Sequence, residues 1–421
     1  MSDALPYHII HVPMHEPLVS PPLTRSQGNY LVFWWHEIAL GQLFIEPNQE
    51  FTEEAYYSAV YAAIQPALRQ YEQPHSLSSL SYSLWLHLIN TDTWNAWMAT
   101  ALTVVLPISL PAEVPISVVI CTRNRAAVLA RCLKSLYAMP CRPKEIVVVD
   151  NAPTDNCTRE IVQEFSGVVY IREPRIGLDI ARNAGIVAAH CPVVAFIDDD
   201  VVVHPNLIFR IWETFHEPTT SAMTGLVIAA ALQTEAQLIF EQHWSFNRGY
   251  VDKFYDESFL RPTAESAPRV WDIGAGANMA FRKSIFEEVG YFNELLDAGA
   301  AGCSGDSEMW YRILLHGHTI RYNPRAIVYH EHRKGMKELK RQLFYYMRGH
   351  AAAALIQHDQ SPKVGYAKHT YFHLPKYYAH QIKIGFPYFR FRSRTLWAEV
   401  KGVAAGIAFY YRHRTPQRCL S

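Results

Sequence analysis

Between Pro115 and His332 the sequence alternates short β-branched runs with segments of helical apolar spacing. This alternation constrains the fold most, because parallel strands need crossover connections and, when buried on both faces, read as unbroken apolar runs. Ile116–Cys121, Glu145–Val149, Val168–Ile171 and Val193–Ile197 read as strands, and Ala126–Met139, Asp155–Phe165 and Leu178–His190 as helices. The expected fold class is α/β with a mostly parallel sheet. Three strands run into polar clusters: Thr122-Arg123-Asn124-Arg125, Asp150-Asn151 and Asp198-Asp199-Asp200. Open α/β sheets bind ligands at the carboxyl ends of their strands, so these clusters mark the candidate site. Farther along, Trp271–Phe281 reads as a Gly-rich strand and Ser304–His316 as a helix. Thr319–Tyr322 and Ala326–Tyr329 read as two short closing strands, while 233–269 shows no clear period.

The flanks differ in charge. The 39 Lys and Arg balance 39 Asp and Glu, which argues against nucleic-acid binding through overall basicity. The balance hides a basic tail: residues 331–421 hold 17 basic and 4 acidic side chains. Three regions follow: 1–113, an acidic and aromatic α+β accessory domain; 114–333, the domain of strand–helix alternation; and 334–421, a basic, aromatic helical region. A Pro-rich linker, 107–115, is expected between the first two. Seven singly spaced cysteines suggest neither a disulfide framework nor a zinc site, and a reducing cytosol fits them. Ala101–Cys121 is broken by prolines and reads as no membrane span. The tail mixes basic and aromatic groups, as in Phe386-Pro-Tyr-Phe-Arg-Phe-Arg-Ser-Arg. Such a mix suits helix faces packed on the acidic body, or, over 335–421, attachment to an anionic membrane surface at the cytoplasmic face.

The Asp triplet carries the sharpest chemistry. Carboxylates crowded at the end of a buried strand are costly unless a cation or several donors neutralise them. Asp198 and Asp200 alternate onto one side of an extended chain and suit a divalent metal, Mn²⁺ or Mg²⁺, while Asp199 faces away. The plainer alternative is an acidic loop capping the helix near Pro205. Asp150 reads either as a cap with Asn151 and Thr154 or, beside Asp198 on the same sheet edge, as a ligand group. Arg172, Arg175, Arg182 and Asn183 surround a helix start at Gly177 that suits phosphate, with surface salt bridging the alternative. Asp306 and Glu308 fall in a first helical turn, where carboxylates are favoured anyway. A Gly/Ala run before them would also let Asp306 reach a cleft as general base. His330 and His332 alternate at a strand end, His330 being the better metal ligand.

Taken in order, these segments resemble the family 2 inverting glycosyltransferases of GT-A fold over Pro115 to Arg333, about half the chain. The matching stretches include Val118-Val-Ile-Cys-Thr-Arg-Asn-Arg, Val149-Asp-Asn, Gly177-Leu-Asp-Ile-Ala-Arg-Asn-Ala-Gly, Phe196-Ile-Asp-Asp-Asp, Gly276-Ala-Asn-Met-Ala-Phe-Arg, Gly305-Asp-Ser-Glu-Met-Trp-Tyr-Arg and Tyr329-His-Glu-His-Arg. The resemblance implies a GT-A (Rossmann-like) catalytic domain that uses a nucleotide-sugar donor. Thr122, Asn124, Arg125 and Asp150 would hold the nucleoside, Arg182 and Asn183 would shape its pocket, and Asp198 would reach the donor. Asp198, Asp200 and His330 would bind the metal. Asp306 would be the base, with Glu308 as its supporter or substitute. The family usually has Glu-Asp where this chain has Gly305-Asp306. The implied acceptor is a saccharide, glycolipid or lipid-linked sugar, in surface or extracellular polysaccharide or glycolipid synthesis. Two other readings stand beside it: a non-catalytic sugar-nucleotide or glycan-binding module, and a haloacid-dehalogenase-like phosphatase built on Asp198-Asp-Asp-Val-Val.

Overall fold

The computed structural model describes residues 6–19, 23, 26–72, 80–107, 109–261 and 267–414. Its strands are β1 (Tyr7–Pro13), β2 (Gly28–Trp35), β3 (Ile38–Ile45), β4 (Glu113–Thr122), β5 (Arg142–Asn151), β6 (Val168–Glu173), β7 (Val193–Asp198), β8 (Val201–Val203), β9 (Thr220–Ala229), β10 (Lys253–Tyr255), β11 (Asn278–Arg282) and β12 (Thr319–His330). The central sheet has the order β10-β12-β9-β11-β7-β4-β5-β6, with β8 on the side of β12. Within it β4, β5, β6, β7, β9 and β12 run one way and β8, β10 and β11 the other. The fold is α/β with a mostly parallel sheet.

The sequence explains this core locally. Ile116, Val118, Val119 and Ile120 of β4 are wholly buried, as expected for a strand covered on both faces. The helix Ala126–Tyr137 places Leu129, Cys132, Leu133 and Leu136 at the i, i+3, i+4, i+7 spacing of one buried stripe. Register then aligns the site: Asp198 stands beside Cys121, and Thr122 beside Asp150. The carboxyl ends of β4, β5, β7 and β12 therefore share one edge.

Several expectations need correction. Only Asn278–Arg282 of the predicted strand 271–281 is extended; Val270–Asp272 is a single 3-10 turn. The backbone between crosses β9 too closely for a pleat, since a Cβ at Gly274 would lie 2.4 Å from the Thr224 side chain. The two closing strands are one strand, β12, with its register shifted between Asn323 and Ile327, where Pro324 offers no N–H to the ladder. The aperiodic stretch 233–269 holds the helix Glu235–His243, opened by a capping box between Thr234 and Gln237.

The flanking regions join the core. Strand β4 begins at Glu113, inside the stretch expected to be linker. The N-terminal sheet β1-β2-β3 contributes to the same apolar cluster as the central sheet, and Trp34 stacks on His204 at 5.7 Å. In the C-terminal region the helix Met336–Gln360 packs along Leu396–His413, with Gly402 and Gly406 allowing the close approach. Residues 415–421 of that region lie outside the described residues. Among the described residues no helix is long and apolar enough to cross a membrane.

Met336–Gln360 also lies against the loop that leads into Asp306. A Cβ at Gly349 would stand 2.4 Å from the Cys303 carbonyl oxygen and 2.5 Å from its nitrogen. Gly349→Val is therefore expected to lower stability by about 1–3 kcal/mol through overpacking, read as an earlier denaturant midpoint. An unchanged midpoint would mean that the helix does not press on this loop.

Candidate active site

A cleft of about 1560 Å³ opens at the carboxyl edge of the sheet. Single small-molecule pockets are typically ~300–1,000 Å³, so this one has room for more than one reactant. Arg125, Arg182, Asp198, Asp297 and Asp306 line its inner end. Its outer walls come from the insertion after β9 and from the C-terminal region, including Trp244, Tyr345, Arg348 and His350.

The Asp triplet divides as strand geometry requires. Asp199 turns toward β4, where it accepts hydrogen bonds from the Thr122 hydroxyl at 2.6 Å and from Arg125 at 2.6 Å. Asp198, Asp200 and His330 point together, with one ligand atom of each within 4.8 Å of the others. Burial, then the neighbouring Asp200, pushes the Asp198 carboxyl up to about 7. Asp200 is held low despite its burial, by His330 and Arg125. Burial brings the His330 imidazole down to about 4, leaving it neutral and able to ligate.

A chain of rings fixes which His330 nitrogen faces the carboxylates. His332 Nε2 lies 2.8 Å from Glu241 Oε2, and His332 Nδ1 lies 3.1 Å from His330 Nδ1. Glu241 thus anchors the His332 ring, and the His332 ring in turn orients that of His330. With the ring so oriented, His330 Nε2 lies 3.4 Å from Asp200 Oδ1. Two carboxylates this close at the end of a buried strand are costly without a cation among them. The donor set of two carboxylates and a neutral imidazole fits a divalent metal, with Mn²⁺ and Mg²⁺ both compatible.

Across the cleft, Arg182 is buried among carboxylates. It donates to Asp179 at 2.8 Å and to Asp297 at 2.7 Å. Burial opposes its charge, but Asp297, Asp179 and Asp306 outweigh that and hold the guanidinium protonated. Asp306 accepts from the Gly276 N–H at 2.8 Å and from the Ser307 N–H at 2.7 Å. Burial, followed by the Asp297 charge, raises the Asp306 carboxyl above its ordinary range. The unusual Gly305 has a steric reason: a Cβ there would lie 2.0 Å from the Asp179 carboxylate.

The other residues singled out in the sequence stand apart from the cleft lining. Thr122 is engaged with Asp199, and Asn124 caps the turn at Thr154 through its amide oxygen. Asp150 is fully buried and accepts from Tyr170 at 2.8 Å. Asn183 bonds both the N–H and the carbonyl of Phe292, bracing that loop. Glu308 points away from Asp306, held by Arg312 at 2.8 Å and Gln360 at 3.0 Å. His332 faces Glu241 rather than the two aspartates. Sequence reasoning missed Asp179, Asp297 and Glu241. Asp297 had a signal, as the acid immediately before the Gly/Ala run; Asp179 looked like an ordinary first-turn carboxylate, and Glu241 lay in the stretch read as aperiodic.

Comparison with known proteins returns glycosyltransferases. Residues 117–290 match the model of glycosyl transferase family 2. The central region of the chain is thus similar to glycosyl transferase family 2. The glycosyltransferase match extends to a pre-mycofactocin glycosyltransferase of Mycobacterium tuberculosis, 26% identical over 255 residues, or 60% of this chain and 50% of that protein. Glycosyltransferase AglE of Haloferax volcanii is 25% identical over 234 residues, 54% of this chain and 70% of that one. The chain thus spans about half the length of the first of these relatives. Among solved structures, a mannosyltransferase of Pyrobaculum calidifontis in complex with GDP-Man and Mn²⁺ aligns with a TM-score of 0.47 at 15% identity, covering 75% of this chain and 94% of that one.

The cleft depends on Arg182 for its inner wall. Removing that cation strands Asp179 and Asp297 in the interior, and breaking a buried pair typically costs about 3–5 kcal/mol. Arg182→Met is expected to show a loss of that order in chemical denaturation; a change under about 1 kcal/mol would contradict the pairing.

Proposed function

We propose that this cleft transfers a glycosyl group from a nucleoside-diphosphate sugar to an acceptor hydroxyl, with inversion at the anomeric carbon. The observation that carries the reading is the placement of two unlike groups beside one cleft: the Asp198-Asp200-His330 cluster, and a buried Asp306 with a raised pKa. Displacement with inversion needs a leaving-group site on one face of the sugar and a proton acceptor on the other.

In this reading Asp198, Asp200 and His330 hold the divalent cation, which supplies charge neutralisation to the departing diphosphate. Asp306 takes the proton from the acceptor hydroxyl as that oxygen bonds to the anomeric carbon. Its raised pKa favours this, because a base nearer neutrality takes up the proton more readily. The Gly276 and Ser307 N–H groups fix the carboxylate, and lone pairs remain for the hydroxyl. The Arg182 charge opposes that rise and so favours the ionised form of Asp306. Arg123 and Arg333 line the cleft without an ion pair among the described residues, and their positive field suits a diphosphate. The nucleoside is assigned to the ends of β4 and β5 near Thr122, Asn124, Arg125 and Asp150. The acceptor is assigned to the outer cleft, as a saccharide, glycolipid or lipid-linked sugar of surface polysaccharide or glycolipid synthesis. The setting is the cytoplasmic face of a membrane.

Asp306→Asn is expected to reduce nucleoside-diphosphate release in the presence of acceptor by about 10²–10⁴-fold, with donor binding retained by calorimetry. Glu308→Gln should keep turnover within a fewfold and lower thermal stability. Full activity in Asp306→Asn, or its loss only in Glu308→Gln, would reassign the base. At the metal, Glu241→Gln should weaken Mn²⁺ binding by about 10–100-fold, followed by the spectrum of free Mn²⁺, because the ring orientation is then no longer fixed. Equal affinity would sever Glu241 from the site.

A further inference from the structure

The C-terminal region that walls the cleft also turns an apolar, basic face to solvent. Phe372, Ile384, Phe386, Tyr388 and Trp397 are 55, 64, 73, 75 and 51% exposed. They lie before, on and after the helix Leu374–Gly385 and on the first turn of Leu396–His413. These stretches fold together: the Phe389 ring is 6.1 Å from Trp397, and Gly385 lies under Phe389 and Ser393. Apolar groups scattered singly on a surface are ordinary, but several carried on one short folded segment mark an interaction site.

Charge says what the face would meet. Residues 361–414 contain ten Lys and Arg and a single carboxylate, Glu399. That carboxylate is wholly buried, bonded by Arg392 and Thr395. Arg394 reaches Glu235. Lys376, Lys383 and Arg390 are exposed, with no carboxylate partner among the described residues. Arg390 lies over the Tyr388 ring at 5.1 Å, a cation paired with an aromatic rather than with an acid. Aromatic and aliphatic groups interleaved with unpaired cations suit an anionic bilayer surface, where rings sit at headgroup depth and Lys and Arg meet phosphate.

The same segment opens onto the cleft. His369, His373, Tyr377 and Tyr378 line it, and Tyr377 is also 44% exposed. We infer that residues 371–397 are a bilayer-docking face that seats the mouth of the cleft on anionic lipid, so that the acceptor is drawn from that surface. This narrows the attachment expected over 335–421, because much of Met336–Gln360 is packed against the body. The docking stands on the surface itself; delivery of the acceptor rests on the transfer reading above.

The test uses the full chain, co-sedimented with vesicles of phosphatidylcholine and phosphatidylglycerol or of phosphatidylcholine alone. Wild-type protein is expected to partition onto the anionic vesicles about tenfold or more above the neutral ones, and to leave them at high salt. A triple variant, Ile384→Ser, Phe386→Ser and Tyr388→Ser, and a double variant, Lys376→Glu and Lys383→Glu, should each lose about tenfold of that binding, with thermal midpoint and donor binding unchanged. Variants that sediment like wild type would overturn the docking face. So would wild-type protein that is a dimer in solution and becomes monomeric in the triple variant, since the face would then join two copies. Wild-type protein that releases nucleoside diphosphate in solution but stays off the vesicles defeats the docking alone. Protein that binds the vesicles without any turnover supports the docking and defeats the transfer reading.

Discussion

The guanidinium of Arg182 is the point on which the inner cleft depends. It is buried, bonded to Asp179 and Asp297, and near enough to Asp306 and Asp198 for their charges to act on it. Burying so many carboxylates is possible only because this cation stands among them. It ties together the helix Leu178–Ala188, the loop carrying Asp297 and the helix start carrying Asp306. Gly276 and Gly305 follow from the crowding. A Cβ at Gly276 would lie 2.7 Å from the Arg182 guanidinium, and one at Gly305 would enter the Asp179 carboxylate.

A second centre of negative charge lies at the end of β7, and the two are built differently. Around Arg182 the charges are compensated within the chain. At Asp198, Asp200 and His330 the compensation is incomplete, because Arg125 reaches Asp199 and Asp200 but not Asp198. A protein that needed only stability would have closed this gap. Leaving it open, at the edge of a large cleft, is what a site for a cation and an anionic leaving group requires. The ring chain from Glu241 through His332 keeps it open in one geometry.

Much of this was legible in the sequence where local patterning sets the outcome. The apolar strand ending in Asp198-Asp199-Asp200 gave both the sheet edge and the alternate facing of the carboxylates, because the period of a strand is fixed by its backbone. The break at Asn323-Pro324 was also visible, although it proved to be an irregularity within β12 rather than a gap between strands. What stayed hidden depends on tertiary proximity. Asp179 and Asp297 are far apart in sequence and meet only at Arg182. Glu241 reaches His332 from a helix of 9 residues, too short for its period to stand out. The tail read as a separate basic segment because charge is counted along the chain, while Gly349 against Cys303 binds it to the core in space.

The central claim is that a base on one face of the sugar and a metal-held diphosphate on the other act in line. The stereochemistry of the product tests it most directly. Proton NMR of the anomeric position, recorded early in turnover with a nucleoside-diphosphate sugar found by donor screening, should show the configuration inverted relative to the donor. A product that retains the donor configuration from the first turnovers would contradict the direct displacement assigned to Asp306.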